Sequence, residues 1–99
     1  MAKFDVYRQK NGGALVLDCQ ADLLGDLNTR LVVPLLPMSE APKPATRLNP
    51  IFEVEGEHFV MVTQFAASVP MRELGEIVLS LGSEQDAIGA ALDMLIIGF

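Results

Sequence analysis

The chain predicts a mainly β fold of the α+β class: a small, strongly bent sheet or barrel with one helix packed across it. Three observations carry this. Short strand-patterned runs recur along the first eighty residues, separated by Gly, Pro and Asn signals. One amphipathic helical stretch occupies the C-terminal end. The chain is 99 residues long and 51% hydrophobic, which suits one core and leaves no room for two.

Residues 3–8, Lys3-Phe4-Asp5-Val6-Tyr7-Arg8, alternate polar and apolar as a half-buried strand does. Asn11-Gly12-Gly13 is a turn signal, and residues 14–19 form a second strand, so the first twenty residues read as a hairpin. Residues 22–29 are a connection rich in leucine and polar side chains. Residues 30–36, Arg30-Leu31-Val32-Val33-Pro34-Leu35-Leu36, predict a strand buried on both faces. Pro34 has no N–H to give to a ladder, so it marks an edge, a bulge or a bend. Residues 37–50, with Pro42 and Pro44 between the flanking prolines, form a long surface loop. Residues 51–55 and 57–64 flank Gly56 and make the clearest hairpin. Residues 65–70 continue extended, since Pro70 disfavours helix at Val69. Residues 72–81 read as a short helix or a turn-rich connection.

The last element runs from Ser83 to the end. Ser83 stands where an N-cap is expected, with Asp86 three residues on. Glu84 and Asp86 complement the positive end of the helix dipole. Ile88, Ala91, Leu92, Leu95 and Ile96 fall on one helical face. The stretch closes on Leu95-Ile96-Ile97-Gly98-Phe99. An apolar terminus of this kind either docks into a core or is presented to a partner, because termini are ordinarily the loosest part of a domain.

Charge excludes one class of function. The net charge is −6 and no Lys or Arg follows Arg72; the pI is about 4.5. Nucleic-acid binders carry basic patches that neutralise phosphates, so direct contact with DNA or RNA is not expected, and an acidic protein favours a basic partner. Enzyme chemistry is not visible. His58, the single histidine, reads as a surface residue of a strand, and Cys19, the single cysteine, as a buried structural thiol. One His and one Cys make no metal-ligand set, and no cofactor motif is present. Glu53, Glu55 and Glu57 read as a solvated strand face. The internal methionines, Met38, Met61, Met71 and Met94, read as core filler. No run approaches the ~18–20 apolar residues of a membrane span, residues 1–20 do not read as a signal peptide, and one cysteine suits a reducing compartment. The expected location is the cytoplasm.

These residues, taken in order, resemble the CcdB toxins of bacterial toxin–antitoxin modules over essentially the whole chain. The likeness rests on Phe4-x-Val6-Tyr7, Asp18-x-Gln20-x-Asp22-Leu23-Leu24 and Thr29-Arg30-Leu31-Val32-Val33-Pro34-Leu35. It continues through Pro50, Met61-x-Thr63 and Ala67-Ser68-Val69-Pro70 to a terminal helix with Gly98 one residue from its end. The resemblance implies one toxin domain over residues 1–99: an SH3-like barrel with a small additional sheet and a C-terminal helix, a fold shared with MazF and Kid. It implies a homodimer that is not an enzyme but poisons DNA gyrase by binding its A subunit while DNA is cleaved. A cognate CcdA-like antitoxin would neutralise it and join it in repressing the operon, so DNA is met only through antitoxin or gyrase. Carried onto this chain, the gyrase-binding positions are Ile97, Gly98, Phe99, Asp93, Leu23 and Leu24, with Phe4, Tyr7 and Ala21 forming the adjoining surface. The best-known members have Trp where this chain has Ile97, and Asn where it has Asp93. The alternatives are a MazF- or Kid-like endoribonuclease of the same fold, which the acidic composition disfavours, and a gyrase-inactive homologue that binds only antitoxin.

Overall fold

The computed structural model describes residues 2–98. A curled antiparallel sheet runs in the order β4-β5-β3-β2-β1-β7, with β6 branching from β3. The strands are β1 (Asp5–Gln9), β2 (Leu15–Asp18), β3 (Thr29–Pro37), β4 (Ile51–Val54), β5 (Glu57–Met61), β6 (Ala67–Pro70) and β7 (Leu74–Ser80), followed by helix α1 (Gln85–Ile96). This half-barrel with one C-terminal helix is the bent sheet and helix that the strand pattern predicted, and it is consistent with the SH3-like barrel that the family resemblance implied.

Strand periodicity sorts side chains to two faces of the sheet. Val6, Leu15, Leu17, Val33, Leu35 and Met61 point into the main core, where Ile88 and Ala91 of α1 join them. Their neighbours Tyr7, Val16 and Val32 point to the opposite face and meet Leu74 and Val69 in a second, smaller cluster. The alternation expected of a half-buried first strand is therefore replaced by burial on both sides: Asp5, Val6 and Tyr7 are all buried.

The nine-residue β3 organises the sheet. One edge pairs with β2 through Leu15↔Leu35 to Asp18↔Val32. The other edge serves two partners, β6 along Thr29–Val32 and β5 along Leu35–Pro37. Pro34 sits where that edge changes partner, and its carbonyl accepts from the Val62 N–H at 3.0 Å. In an extended strand N–H and C=O of one residue point the same way, so the donor that proline lacks would face the gap between β6 and β5. Pro34 thus marks a branch point in the middle of the sheet.

The Glu55-Gly56 turn joins β4 to β5 with φ of 53° and 81°, the two-residue turn whose twist matches antiparallel strands. Residues 38–50 form the expected loop, pinned where the Asn49 side chain donates to the Met61 carbonyl and to Gln64 Oε1 at 3.0 and 2.7 Å. Met61 is fully buried as the sequence suggested, whereas Met38 is 51% exposed and fills no core.

Residues 72–81 differ from the expectation of a helix or turn-rich link. A 3₁₀ turn, Met71–Glu73, leads directly into β7, which pairs with β1. The pairing shifts register between Val6 and Tyr7 and again between Tyr7 and Gln9, and those irregularities erase a clean period of two. Gly75 makes the approach possible: a Cβ there would lie 2.5 Å from the Arg8 carbonyl oxygen. Gly75→Ala is expected to cost about 1–3 kcal/mol, the usual range for overpacking against backbone, measured as a lowered urea midpoint at unchanged slope.

Ser83 does not cap α1. It lies inside a 3₁₀ turn, Gly82–Glu84, and the helix begins at Gln85 with no side-chain cap. The serine that does bond locally is Ser80, whose Oγ accepts from the Gly82 N–H at 3.1 Å. Continuity of chain from the 3₁₀ turn substitutes for a cap, which is a common way to start a helix.

Candidate functional site

Helix α1 carries its apolar stripe out of the core. Ile88 and Ala91 are completely buried, and full burial of an isoleucine side chain contributes about 1.5–3 kcal/mol. One and two turns later the same stripe reaches solvent, with Leu95 41% and Ile96 74% exposed, and Ile97, just past the end of the helix, is 62% exposed. The helix leans on the 3₁₀ turn Thr63–Phe65, whose Phe65 is itself 53% exposed. The tail is nevertheless structured. Ile97 and Gly98 both donate their N–H groups to the Asp93 carbonyl, at 2.7 and 3.1 Å. Gly98 has φ of +90°, a left-handed value that ends helices and that side-chain-bearing residues rarely adopt. Asp93 is exposed on the last full turn. Phe99 lies outside the described residues.

A second apolar patch sits on the connection between β2 and β3. The 3₁₀ turn Asp22–Leu24 follows the exposed Ala21. Leu23 is 93% exposed, Leu24 48% and the nearby Leu27 49%. Asp22 Oδ1 accepts the Lys3 N–H at 2.7 Å, so this turn is fastened to the start of the chain. Helix α1 itself packs on the 3₁₀ turns Thr63–Phe65 and Gly82–Glu84.

Phe4 and Tyr7 do not lie on the surface. They are 7% and 2% exposed, and each belongs to one of the two apolar clusters. Phe4 holds φ of +72°, unusual for an aromatic residue, with its N–H bonded to the Asp18 carbonyl at 2.6 Å and its carbonyl to the Leu81 N–H at 2.8 Å. The Lys3 ammonium stands 4.9 Å above its ring, so what reaches solvent beside Phe4 is a cation. Burial, followed by the charges of Asp5 and Asp18, raises the Tyr7 pKa. Of the nine sequence-predicted positions, Asp93, Ile97, Gly98, Ala21, Leu23 and Leu24 are exposed, Phe4 and Tyr7 are interior, and Phe99 is undescribed.

Two charged groups that the sequence did not single out are fully interior. Arg30 donates from Nε and Nη2 to Asp18 Oδ2 at 3.1 and 2.6 Å, with side chains 1% and 0% exposed. Cys19 is buried next to this pair, and burial pushes its thiol up to about 12 from an ordinary 9.0. Because the folded thiol holds its proton where the unfolded one loses it, this contribution is complete below about pH 9 and disappears as pH rises toward 12. The native protein is expected to resist alkylation at neutral pH and to react fully in denaturant, a contrast that mass spectrometry with iodoacetamide measures.

A groove of about 340 Å³ opens between the β1–β2 turn and the β4–β5 hairpin, lined by Arg8, Glu40, Glu55, Glu57 and Phe59 among others. Arg8 is already engaged there, 3.1 Å from Glu55 and 3.6 Å from Glu76. His58 is exposed. Among the described residues no group of three or more His, Cys, Asp or Glu is placed to hold a metal ion, and no helix is long and apolar enough to cross a membrane.

The described chain is a small curled sheet with a terminal helix, and it exposes two apolar patches, one at the leucine turn and one at the end of α1. The family model described as CcdB protein matches residues 3–98 of this chain. The chain belongs to the CcdB family and is a toxin of the toxin–antitoxin type.

Proposed function

We propose that this chain poisons DNA gyrase: a homodimer binds the gyrase A subunit and holds the enzyme on cleaved DNA, blocking replication and transcription. The observation that carries the reading is the apolar stripe of α1, which anchors through Ile88 and Ala91 and runs out exposed at Ile96, with the exposed Ile97 directly after it. A side chain held at the end of a fixed helix loses little freedom on binding. In this reading Ile97, Gly98 and Phe99 make the central contact, Asp93 a polar one beside it, and Leu23 and Leu24, with Ala21 adjoining, a second apolar contact. Phe4 and Tyr7 act from beneath, as packing under that surface. In a two-fold dimer each patch occurs twice, which suits a symmetric target. Exposed Glu84, Asp86 and Asp93 on and before α1 complement the basic surface of an enzyme that grips DNA.

A cognate CcdA-like antitoxin neutralises the toxin and joins it in repressing the operon, so DNA is contacted only through antitoxin or gyrase. The protein acts in the cytoplasm as a single toxin domain over residues 1–99, without catalysis of its own. Ribonuclease activity of the MazF or Kid type is disfavoured by the groove, where Glu40, Glu55 and Glu57 gather and the single arginine is already paired with glutamates. Such a lining repels a phosphate backbone.

The test is plasmid supercoiling with purified gyrase, ATP and this protein, followed by detergent and protease. Linear DNA is expected. Inhibited supercoiling without linear DNA would mean binding without trapping of the cleaved complex. No effect at concentrations where the dimer is intact would overturn the reading in favour of a homologue that binds antitoxin alone.

A further inference from the structure

We infer that Gln20 is a positioning residue for the exposed leucine turn, tying it to the buried Asp18–Arg30 pair; this rests on the reading of Leu23 and Leu24 as contact residues. Gln20 is 9% exposed and sits between the end of β2 and the 3₁₀ turn Asp22–Leu24. Its backbone N–H donates to Asp18 Oδ1 at 3.0 Å, while Asp18 Oδ2 takes both donors of Arg30. Its side-chain Oε1 accepts from the Leu31 N–H at 3.0 Å, and its Nε2 donates to the Leu24 carbonyl at 3.0 Å. One residue therefore meets the ion pair through its backbone N–H, and its side chain joins strand β3 to the turn.

The turn needs such a tie. Its own bonds are three short-range ones, Leu24 N–H to the Ala21 carbonyl, Gly25 N–H to Asp22 and Leu27 N–H to Leu24, at 2.9, 3.0 and 3.2 Å. None of its residues is buried, so packing does not hold it. Leu23, 93% exposed, contacts nothing that would fix its direction. Among the described residues two hydrogen bonds fasten the turn to the rest of the chain: Gln20 Nε2 at one end, and Asp22 Oδ1 with the Lys3 N–H at the other. An apolar contact on a fixed loop binds more tightly than the same contact on a mobile one, because the ordering entropy is already spent. Only an amide fits this position: it accepts from a strand N–H with one atom and donates to a carbonyl with the other.

The experiment uses the full chain with Gln20→Glu, which keeps the acceptor and loses the donor, and Gln20→Met, which loses both. The Met variant guards against a carboxylate beside Asp18 disturbing the fold. Two readouts are taken on variants shown by circular dichroism to be folded. The first is amide hydrogen exchange, which does not depend on gyrase: exchange at Leu24, Gly25 and Leu27 should rise about tenfold while the β5 amides, and those of β3 other than Leu31, whose acceptor the Met variant removes, stay protected. Unchanged exchange at the turn overturns the proposal, and so does a uniform rise across the sheet. The second is binding to the gyrase A subunit in a double-mutant cycle with Leu23→Ala/Leu24→Ala. Each Gln20 variant should weaken binding about tenfold in the natural background and change it little once the leucines are gone. A full further loss in the leucine-less background overturns action through the turn. If Leu23→Ala/Leu24→Ala alone leaves binding intact, the contact reading of the leucines fails, while the exchange result still decides whether Gln20 holds the turn.

Discussion

Arg30→Leu is expected to lower folding stability by about 3–5 kcal/mol, the loss seen when one member of a buried ion pair is removed. The guanidinium occupies a site with 1% exposure against a carboxylate with none, and it supplies two of the hydrogen bonds that Asp18 accepts. Without it Asp18 remains as an uncompensated buried charge next to Cys19 in the chain, on the same face of β2 as Val16 of the smaller apolar cluster. Water cannot reach it without opening the sheet. Small domains have about 5–15 kcal/mol in total, so the variant sits near the edge of folding. Replacing both partners with apolar residues of similar volume should recover much of the loss, because desolvation of two charges offsets most of what their attraction contributes. Urea denaturation of the single and double variants measures this. A single variant within about 1 kcal/mol of the parent would show that solvent enters the site and that the pair is not interior in solution.

That pair was present in the sequence as Asp18 and Arg30, twelve residues apart on different strands, and nothing local marks it. Charge on a strand normally signals a solvated face, as it does correctly at Glu53, Glu55 and Glu57, all exposed. Its burial follows from strand pairing: β2 and β3 are neighbours with Asp18 opposite Val32, and Val16 and Val32 on those strands belong to the second apolar cluster. Pairing also explains Phe4 and Tyr7. Their alternation with polar residues was read correctly as a strand, but a strand paired on both edges and covered on both faces leaves neither aromatic at the surface. The two hairpins and the stripe of α1 were legible because their signals are local: turn residues, period-two runs and a helical face. Strand β7 was not, since its register shifts and its close approach at Gly75 depend on β1, some seventy residues away. Ser83 misled for a related reason, because a preceding 3₁₀ turn made a side-chain cap unnecessary. Of the candidate surface, the exposed residues of the turn and tail were reachable from the family resemblance, while Gln20 could be found only once its three hydrogen-bonding partners were in place.

Deleting Ile97, Gly98 and Phe99 is expected to reduce gyrase binding by about a hundredfold or more while leaving the fold intact, the magnitude typical when a clustered apolar anchor is removed. The two halves of that expectation have different physical sources. The fold should survive because α1 is held by Ala91 and Ile88, six and nine residues before the cut, and because among the described residues the backbone bonds lost are the two N–H donors to the Asp93 carbonyl. That carbonyl is near solvent and can bond water, so the stability cost should stay within about 1 kcal/mol. Binding should fail because Ile97, 62% exposed, offers most of its surface to a partner and is held in a direction set by the helix end. Gly98 contributes through its conformation: at φ of +90° a β-branched replacement would be strained and would redirect whatever follows. Gly98→Val should therefore reproduce part of the truncation's effect with the tail's apolar character kept. Circular dichroism, sedimentation and titration against the gyrase A subunit separate the possibilities. Loss of binding with unchanged thermal midpoint and assembly places the tail at the contact. A truncated chain that unfolds or changes its assembly would mean that Ile96 and Ile97 are buried against another copy of the chain, and the exposed stripe of α1 would then belong to the dimer and not to gyrase.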